Sequence, residues 1–130
     1  MKLTIEPLTP LIGAEIKGID VTKITTEEFS ALFQAFVDHS VIFLRNQPPM
    51  SAEQHRIFAQ RFGQIHVHPA SRGKPAEHPG LLQMRTSSES RVAAGNRWHS
   101  DVSCDAEPPQ ASILQLHQIP PLGGDTLFSS

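Results

Sequence analysis

His99 and Asp101 are the residues of this 130-residue chain whose types and spacing most directly suggest chemistry. Side chains alternate across an extended backbone, so the imidazole and the carboxylate are expected to project together while Ser100 points away. A neutral imidazole and one carboxylate are two of the three ligands in the triad that holds Fe(II) and leaves positions open for a co-substrate and dioxygen. The pattern is short, however, and a loop histidine hydrogen-bonded to a neighbouring aspartate is its more ordinary interpretation.

The order of motifs after this pair narrows the interpretation. Val102 follows the pair directly. After it come the break Pro108-Pro109, an apolar run over residues 111–116, the break Pro120-Pro121 and a segment over residues 123–126 that begins with two glycines. This order resembles the taurine/2,4-D dioxygenase family of Fe(II)- and 2-oxoglutarate-dependent oxygenases. The similarity also reaches the first half of the chain, at residues 12–16, 41–45 and 59–63.

The resemblance implies a role for five residues. His99 and Asp101 would bind Fe(II), and Thr126 would donate its hydroxyl to the distal carboxylate of 2-oxoglutarate. His68 would contact the anionic head of the substrate, and Val102 would line the same pocket. The second metal histidine and the arginine that pairs with 2-oxoglutarate are expected outside these 130 residues. The implied reaction uses O2, hydroxylates a small anionic organic substrate and releases succinate and CO2.

The substrate pocket implied by the resemblance differs from that of the taurine enzymes. Ser71, Gly95 and Cys104 stand where those enzymes have a tyrosine, an asparagine and a phenylalanine, and this chain has no tyrosine. Smaller side chains leave a roomier pocket with fewer fixed hydrogen bonds. We therefore expect a larger sulfonate, a sulfate ester, or an aryloxy or alkyl carboxylate, in a type of chemistry similar to taurine catabolism.

Two other interpretations stay open. The spacing of His66 and His68 can put two imidazoles on one strand face, so these residues together with His99 and Asp101 would suit a zinc-dependent cupin-like enzyme. Alternatively, the chain is an inactive fragment that lacks a complete metal triad. His117 is a less favoured ligand, because a histidine at the end of an apolar run more often lies at the surface.

Two helices have clear sequence signals. Thr25 and Glu28 form a capping box before a helix over residues 26–38, whose apolar positions recur at helical spacing and should dock on a sheet. These positions are Phe29, Leu32, Phe33, Phe36 and Val37. Ser51 caps a second helix that is expected to reach about residue 62 and to stop at a left-handed Gly63.

Strands are predicted from alternating or continuous apolar runs at residues 2–6, 14–17, 41–44, 65–68, 81–85, 111–118 and 126–129. Together with the helices they indicate an α+β fold: a mostly antiparallel sheet that curls into a double-stranded β-helix, the cupin-like jelly roll, with flanking N-terminal helices. Residues 1–130 are expected to be the N-terminal portion of one such domain, with the jelly roll present only in part because the chain stops before the distal metal histidine. Residues 86–96 are the candidate mobile loop over the site, Trp98 is expected to pack behind the metal strand, and Cys104 is expected to be half-buried.

Composition sets limits on partners and location. The net charge is −2 and no basic run is present, so neither nucleic acid nor an anionic membrane is an expected partner. The N-terminal residues lack the apolar core of a signal peptide, and the single cysteine agrees with a reducing compartment, so the expected location is cytoplasmic. Whether the protein forms a homo-oligomer stays open.

Overall fold

The computed structural model describes residues 2–73, 77–91 and 95–130. Its elements in chain order are β1 (Thr4–Pro7), β2 (Ala14–Lys17), α1 (Thr26–His39), β3 (Ile42–Phe43), α2 (Ala52–Gln60) and a short 3-10 helix at Pro69–Ser71. Within these described ranges, no helix combines the length and the apolar character needed to cross a bilayer. The chain divides into two compact units: the first runs up to Gln54 and includes Gln115–Ser130, and the second is His55–Leu114.

The sheet of the first unit has the strand order β1-β2-β3. β1 and β2 pair antiparallel, with Ile5 opposite Ile16, whereas β2 and β3 pair in parallel, with Ala14 opposite Ile42. The sheet is therefore mixed, and the predicted strand over residues 41–44 is reduced to Ile42–Phe43. Ala14 and Ile16 are buried, so these two side chains of β2 form part of a small core.

Helix α1 confirms the predicted capping box. Thr25 Oγ1 accepts a hydrogen bond from the Glu28 amide at 3.2 Å, and the Glu28 carboxylate accepts one from the Thr25 amide at 2.9 Å. Leu32 and Ala35 are buried, and α1 packs on β2 and β3. Val37, predicted in the same apolar stripe, is 57% exposed. It lies two and five residues from the buried pair, which places it on the far side of a helix with 3.6 residues per turn.

Helix α2 begins as predicted and ends earlier than predicted. The Ser51 hydroxyl accepts from the Gln54 amide at 3.2 Å, and the Gln54 side chain accepts from the Ser51 amide at 2.8 Å. After Gln60, the amides of residues 61–63 donate to carbonyls three positions back, which is a tightening of the last turn. Gly63 has a φ of +151°, a value that L side chains rarely adopt, so the turn after the helix does use a glycine-favoured backbone, although this φ is far from the left-handed helical value.

The strands predicted at 65–68, 81–85, 111–118 and 126–129 are not present. A strand needs a neighbour for its backbone hydrogen bonds, and the described residues provide none for these segments. Several of their apolar side chains are exposed to solvent, each by more than half: Leu82, Met84, Leu114 and Leu116. In the predicted loop, residues 86–91 and 95–96 form neither helix nor strand, and residues 92–94 lie outside the described residues.

Candidate functional site

The structure brings the imidazole of His99 and the carboxylate of Asp101 together in the second unit. His99 Nε2 lies 3.2 Å from Asp101 Oδ1. The segment around them is not a strand, which differs from the predicted extended ribbon, because no neighbouring strand pairs with it among the described residues. The proximity instead comes from a loop whose individual side chains are held by specific hydrogen bonds.

The first of these bonds decides which nitrogen of His99 carries the proton. His99 Nδ1 lies 2.6 Å from the carbonyl oxygen of Arg97, which can only accept a hydrogen bond. Nδ1 is therefore the N–H donor, and in a neutral ring Nε2 keeps its lone pair. That lone pair faces a carboxylate oxygen of Asp101, so two acceptors oppose each other at 3.2 Å. Such a pair needs a cation or an additional proton.

The second bond holds Asp101 from its other side. The Ser112 hydroxyl donates to Asp101 Oδ2 at 2.8 Å, which leaves Oδ1 directed at His99. A partner of this kind orients a metal-binding carboxylate. Sequence reasoning missed Ser112, because it lies within a run that was interpreted only as a strand.

The donor set fits a divalent transition metal. One ion with metal–ligand bonds of about 2.1 Å can reach both atoms, since their separation is shorter than twice that length. His99 and Asp101 are 53% and 55% exposed, so an ion has access. No group of three or more His, Cys, Asp or Glu side chains that could hold a metal occurs within residues 2–73, 77–91 and 95–130. The described residues therefore do not contain the four-residue zinc arrangement with His66 and His68.

Gly95 allows the chain to approach the imidazole closely. Its φ is +82°, a conformation that L side chains rarely adopt, and a Cβ added there would lie 3.5 Å from His99 Cε1. A side chain at this position would therefore lie directly against the imidazole ring of His99. The glycine leaves that side of His99 open.

Two predictions about neighbouring residues are wrong. Trp98, expected behind the metal strand, is 69% exposed, because its segment is not part of a sheet and has no back face to cover. Cys104, expected to be half-buried, is exposed and free, since it lies in the turn that follows Val102.

That turn has an unusual backbone. Val102 has a φ of 50°, which is rare for a β-branched residue, and its side chain is half-buried. The Asp105 amide donates to the Val102 carbonyl at 3.1 Å, and the hydroxyls of Ser100 and Ser103 lie 2.6 Å apart. Local hydrogen bonds therefore hold Val102 in a conformation that costs energy.

A second polar cluster surrounds the carboxylate of Asp105. His66 Nε2 donates to Asp105 Oδ2 at 2.9 Å, and the Arg72 guanidinium donates to the same oxygen. The hydrogen bond from His66, helped by Arg72 and by the Ala106 amide, lowers the pKa of Asp105 below its ordinary value of 3.8. The cluster itself was missed, because His66 and Arg72 are 39 and 33 residues away from Asp105.

The remaining predicted site residues are in different parts of the chain. His68 is half-buried in the second unit, and its carbonyl accepts from the Ser71 amide at 2.8 Å. Thr126 is exposed in the first unit and is not in a strand. His117, also in the first unit, lies 3.3 Å from the side-chain nitrogen of Gln115. The roles predicted for His68, Val102 and Thr126 stay predictions.

Comparisons with known proteins agree on one family. The model of the taurine catabolism dioxygenase TauD, TfdA family matches residues 4–130. An alpha-ketoglutarate-dependent sulfate ester dioxygenase of Pseudomonas putida is 33% identical, over 100% of this chain and 42% of that protein. An alpha-ketoglutarate-dependent sulfonate dioxygenase of Saccharomyces cerevisiae is 29% identical, over 98% of this chain and 33% of that protein.

Solved structures give the same result. The crystal structure of a taurine dioxygenase from Burkholderia xenovorans superposes with a TM-score of 0.64 at 29% identity, and the match covers 82% of this chain and 37% of that one. The chain thus spans between a third and somewhat more than two-fifths of the length of these relatives. Sequence and structure together show that it belongs to the taurine catabolism dioxygenase TauD, TfdA family.

Proposed function

We propose that the protein is an Fe(II)- and 2-oxoglutarate-dependent dioxygenase that hydroxylates a small anionic organic substrate and forms succinate and CO2. The observation that carries the proposal is the opposition of His99 Nε2 and Asp101 Oδ1 at 3.2 Å, with the ring proton held on the other nitrogen. Two acceptors held face to face suit a shared cation. Family membership supports iron as that cation and 2-oxoglutarate as the co-substrate.

Each residue has a defined task in this proposal. His99 and Asp101 hold the metal, while the Arg97 carbonyl and the Ser112 hydroxyl fix the orientation of the two ligands. When bound, Fe(II) supplies the activation of dioxygen that no amino-acid side chain provides. Thr126 donates its hydroxyl to the distal carboxylate of 2-oxoglutarate.

The substrate site is proposed from two residues that match the family and from three positions where this chain has smaller side chains than the taurine enzymes. His68 donates to the anionic group of the substrate, and Val102 lines the pocket. Ser71, Gly95 and Cys104 leave more space than larger side chains would. The names of two relatives specify a sulfonate and a sulfate ester as substrates. We propose the same classes here, together with aryloxy and alkyl carboxylates.

We further propose that residues 1–130 form the N-terminal portion of a single jelly-roll domain. The support is the match to between 33% and 42% of the length of the two curated relatives. In this proposal, residues outside the 130 complete the sheet and supply both the third metal ligand and the arginine that binds 2-oxoglutarate.

Succinate formation by the complete protein tests the proposal. The assay contains Fe(II), oxygen, 2-oxoglutarate and a panel of sulfonates, sulfate esters and aryloxy acids. His99→Ala and Asp101→Ala should each lower the rate at least about 100-fold, because metal chemistry worth several kcal/mol is lost. His117→Ala and Asp38→Ala are matched controls for residue type, and both should retain the wild-type rate.

The same assay distinguishes the other interpretations. Activity that requires Zn(II) and proceeds without oxygen would replace the dioxygenase proposal by the cupin-like one. Absence of succinate with every substrate, together with no Fe(II) binding, would favour an inactive protein. Loss of activity in His117→Ala would instead assign that histidine to the metal.

A further inference from the structure

We infer that Asp105 is a positioning residue for substrate recognition, because it joins the turn that carries Val102 to the segment that carries His68. The inference deepens the proposed function and rests on it, since His68 and Val102 are the residues proposed to contact the organic substrate. Asp105 itself is not proposed to touch substrate, metal or 2-oxoglutarate.

The carboxylate of Asp105 is held from several directions. Its Oδ2 accepts from His66 Nε2 at 2.9 Å and from the Arg72 guanidinium, and its Oδ1 accepts from the Ala106 amide at 2.9 Å. The side chains of Asp105 and His66 are only 16% and 20% exposed. Charge-assisted bonds in such a partly buried place restrict geometry more than those at a fully exposed surface.

The two donors lie on either side of His68 in the sequence. His66 precedes it by two residues and Arg72 follows it by four. Between them, the Ser71 amide donates to the His68 carbonyl at 2.8 Å, and the Arg72 amide donates to the Pro69 carbonyl at 3.3 Å. Both ends of this seven-residue segment are therefore bound to one carboxylate. That arrangement leaves the backbone of His68 little freedom.

Asp105 acts on Val102 through the backbone. Its amide donates to the Val102 carbonyl at 3.1 Å and closes the turn in which Val102 has a φ of 50°. A β-branched residue keeps this conformation only when its surroundings determine it. One residue thus restrains both positions that are proposed to face the substrate.

The metal-binding pair has different supports. His99 is oriented by the Arg97 carbonyl and Asp101 by the Ser112 hydroxyl, so neither ligand depends on the Asp105 carboxylate. Removing that carboxylate should therefore weaken recognition of the organic substrate and leave the metal site intact. This separation distinguishes positioning of the substrate pocket from general support of the fold.

Steady-state kinetics of the complete protein and of Asp105→Asn test the inference. The variant keeps the size of the side chain and loses its charge. We expect the KM for the organic substrate to rise about 10- to 100-fold. The KM for 2-oxoglutarate and the Kd for Mn(II), measured by electron paramagnetic resonance of the free ion, should stay within about twofold of wild type.

A second variant makes the test independent of how well Asp105→Asn folds. Arg72→Gln removes one partner and should raise the same KM. The double variant should be less impaired than the product of the two single effects, because both residues belong to one cluster. Arg85→Gln, at an exposed arginine of the same unit, is the matched control and should have wild-type kinetics.

The outcomes separate this inference from the proposed function. An active wild type whose KM for the organic substrate is unchanged in both variants would overturn the inference alone. So would an equal loss of metal affinity, 2-oxoglutarate binding and substrate binding, since that pattern indicates a structural role. A wild type that forms no succinate would reject the proposed function, and the inference with it.

Discussion

Each of the two units of the protein is stabilised internally by a different kind of interaction. In the first unit, Ala14, Ile16, Val21, Leu32 and Ala35 are buried, and α1 packs on β2 and β3. Among the described residues of the second unit, only Phe58 is a buried hydrophobic side chain. The candidate metal pair lies in this second unit, where polar contacts between side chains and backbone define the geometry.

Most of the buried apolar residues and the candidate metal pair therefore lie in different units of the chain. Apolar burial is non-directional and stabilises the first unit in proportion to the area removed from water. The hydrogen bonds around His99, Asp101 and Asp105 are directional and place individual atoms. Substitutions of the buried apolar residues in the first unit should therefore change chiefly the free energy of unfolding, and those at the supports of His99 and Asp101 should change chiefly binding.

The largest effect is expected from Leu32→Ala. Leu32 lies on the buried face of α1 and is fully buried, so its truncation removes apolar burial and leaves a cavity. The free energy of unfolding should fall by about 2–5 kcal/mol, measured by denaturant titration. Leu11→Ala, at a side chain that is 78% exposed, should change it by less than about 0.5 kcal/mol. Equal losses in both variants would mean that α1 does not form the core of the first unit.

A smaller effect of a different kind is expected from Ser112→Ala. Without its hydroxyl, Asp101 Oδ2 loses the donor at 2.8 Å and the carboxylate is free to turn. Metal affinity should fall about 10- to 100-fold, or about 1.4–2.7 kcal/mol, as measured by Mn(II) titration.

Ser88→Ala is the matched control for Ser112→Ala, because it removes an exposed hydroxyl from the same unit. Its metal affinity should equal that of wild type. A fall in the free energy of unfolding of Ser112→Ala with metal affinity unchanged would remove the distinction between the two units.

Residues 1–54 of the first unit are also the part that the sequence predicts well, whereas the strand predicted at residues 126–129 of the same unit is not present. The capping box at Thr25, the 3.6-residue periodicity of α1 and the alternation in β2 are local patterns, and each corresponds to an observed element. The length of β3, predicted as residues 41–44 and observed as Ile42–Phe43, and the exposure of Val37 on α1 were predicted less well. Both depend on which neighbouring elements are present. Local patterns do not contain that information.

The second unit shows where sequence reasoning stops. The spacing of His99 and Asp101 indicated that the two side chains lie together, although the segment is a loop and not a strand. Ser112 and the partners of Asp105 come from 11 to 39 residues away, so no periodicity links them to the site. The apolar runs predicted as strands at residues 65–68 and 81–85 of this unit have no pairing partner among the described residues and remain irregular.

Thr25→Ala tests the local pattern directly. The substitution removes the hydroxyl that accepts from the Glu28 amide, and the free energy of unfolding should fall by about 1 kcal/mol. Thr26→Ala, one residue later and also exposed, is the matched control and should change it by less than about 0.5 kcal/mol. If both variants behave alike in denaturant titrations, the cap contributes nothing beyond helix propensity.

The smallest effect is expected on the free energy of unfolding at acid pH. One carboxylate in each unit, Asp20 in the first and Asp105 in the second, contributes to it. Hydrogen bonds from the hydroxyl and the amide of Thr22 lower the pKa of Asp20 below 3.8, as the bond from His66 lowers that of Asp105. A lowered pKa in the folded state means that the unfolded chain binds protons more readily. The stabilisation is complete above the ordinary pKa and is lost as the pH falls through the lower, folded-state pKa.

The two carboxylates should nevertheless differ in how much they contribute to this acid loss. Asp20 bonds to a residue two positions away, a contact that the unfolded chain can keep, whereas the partners of Asp105 are 33 and 39 residues distant and separate on unfolding. Asp105→Asn should therefore flatten the acid limb of unfolding free energy against pH more than Asp20→Asn does. The reverse order, measured by denaturant titration at a series of pH values below neutrality, would mean that the Asp105 cluster does not distinguish the folded from the unfolded state.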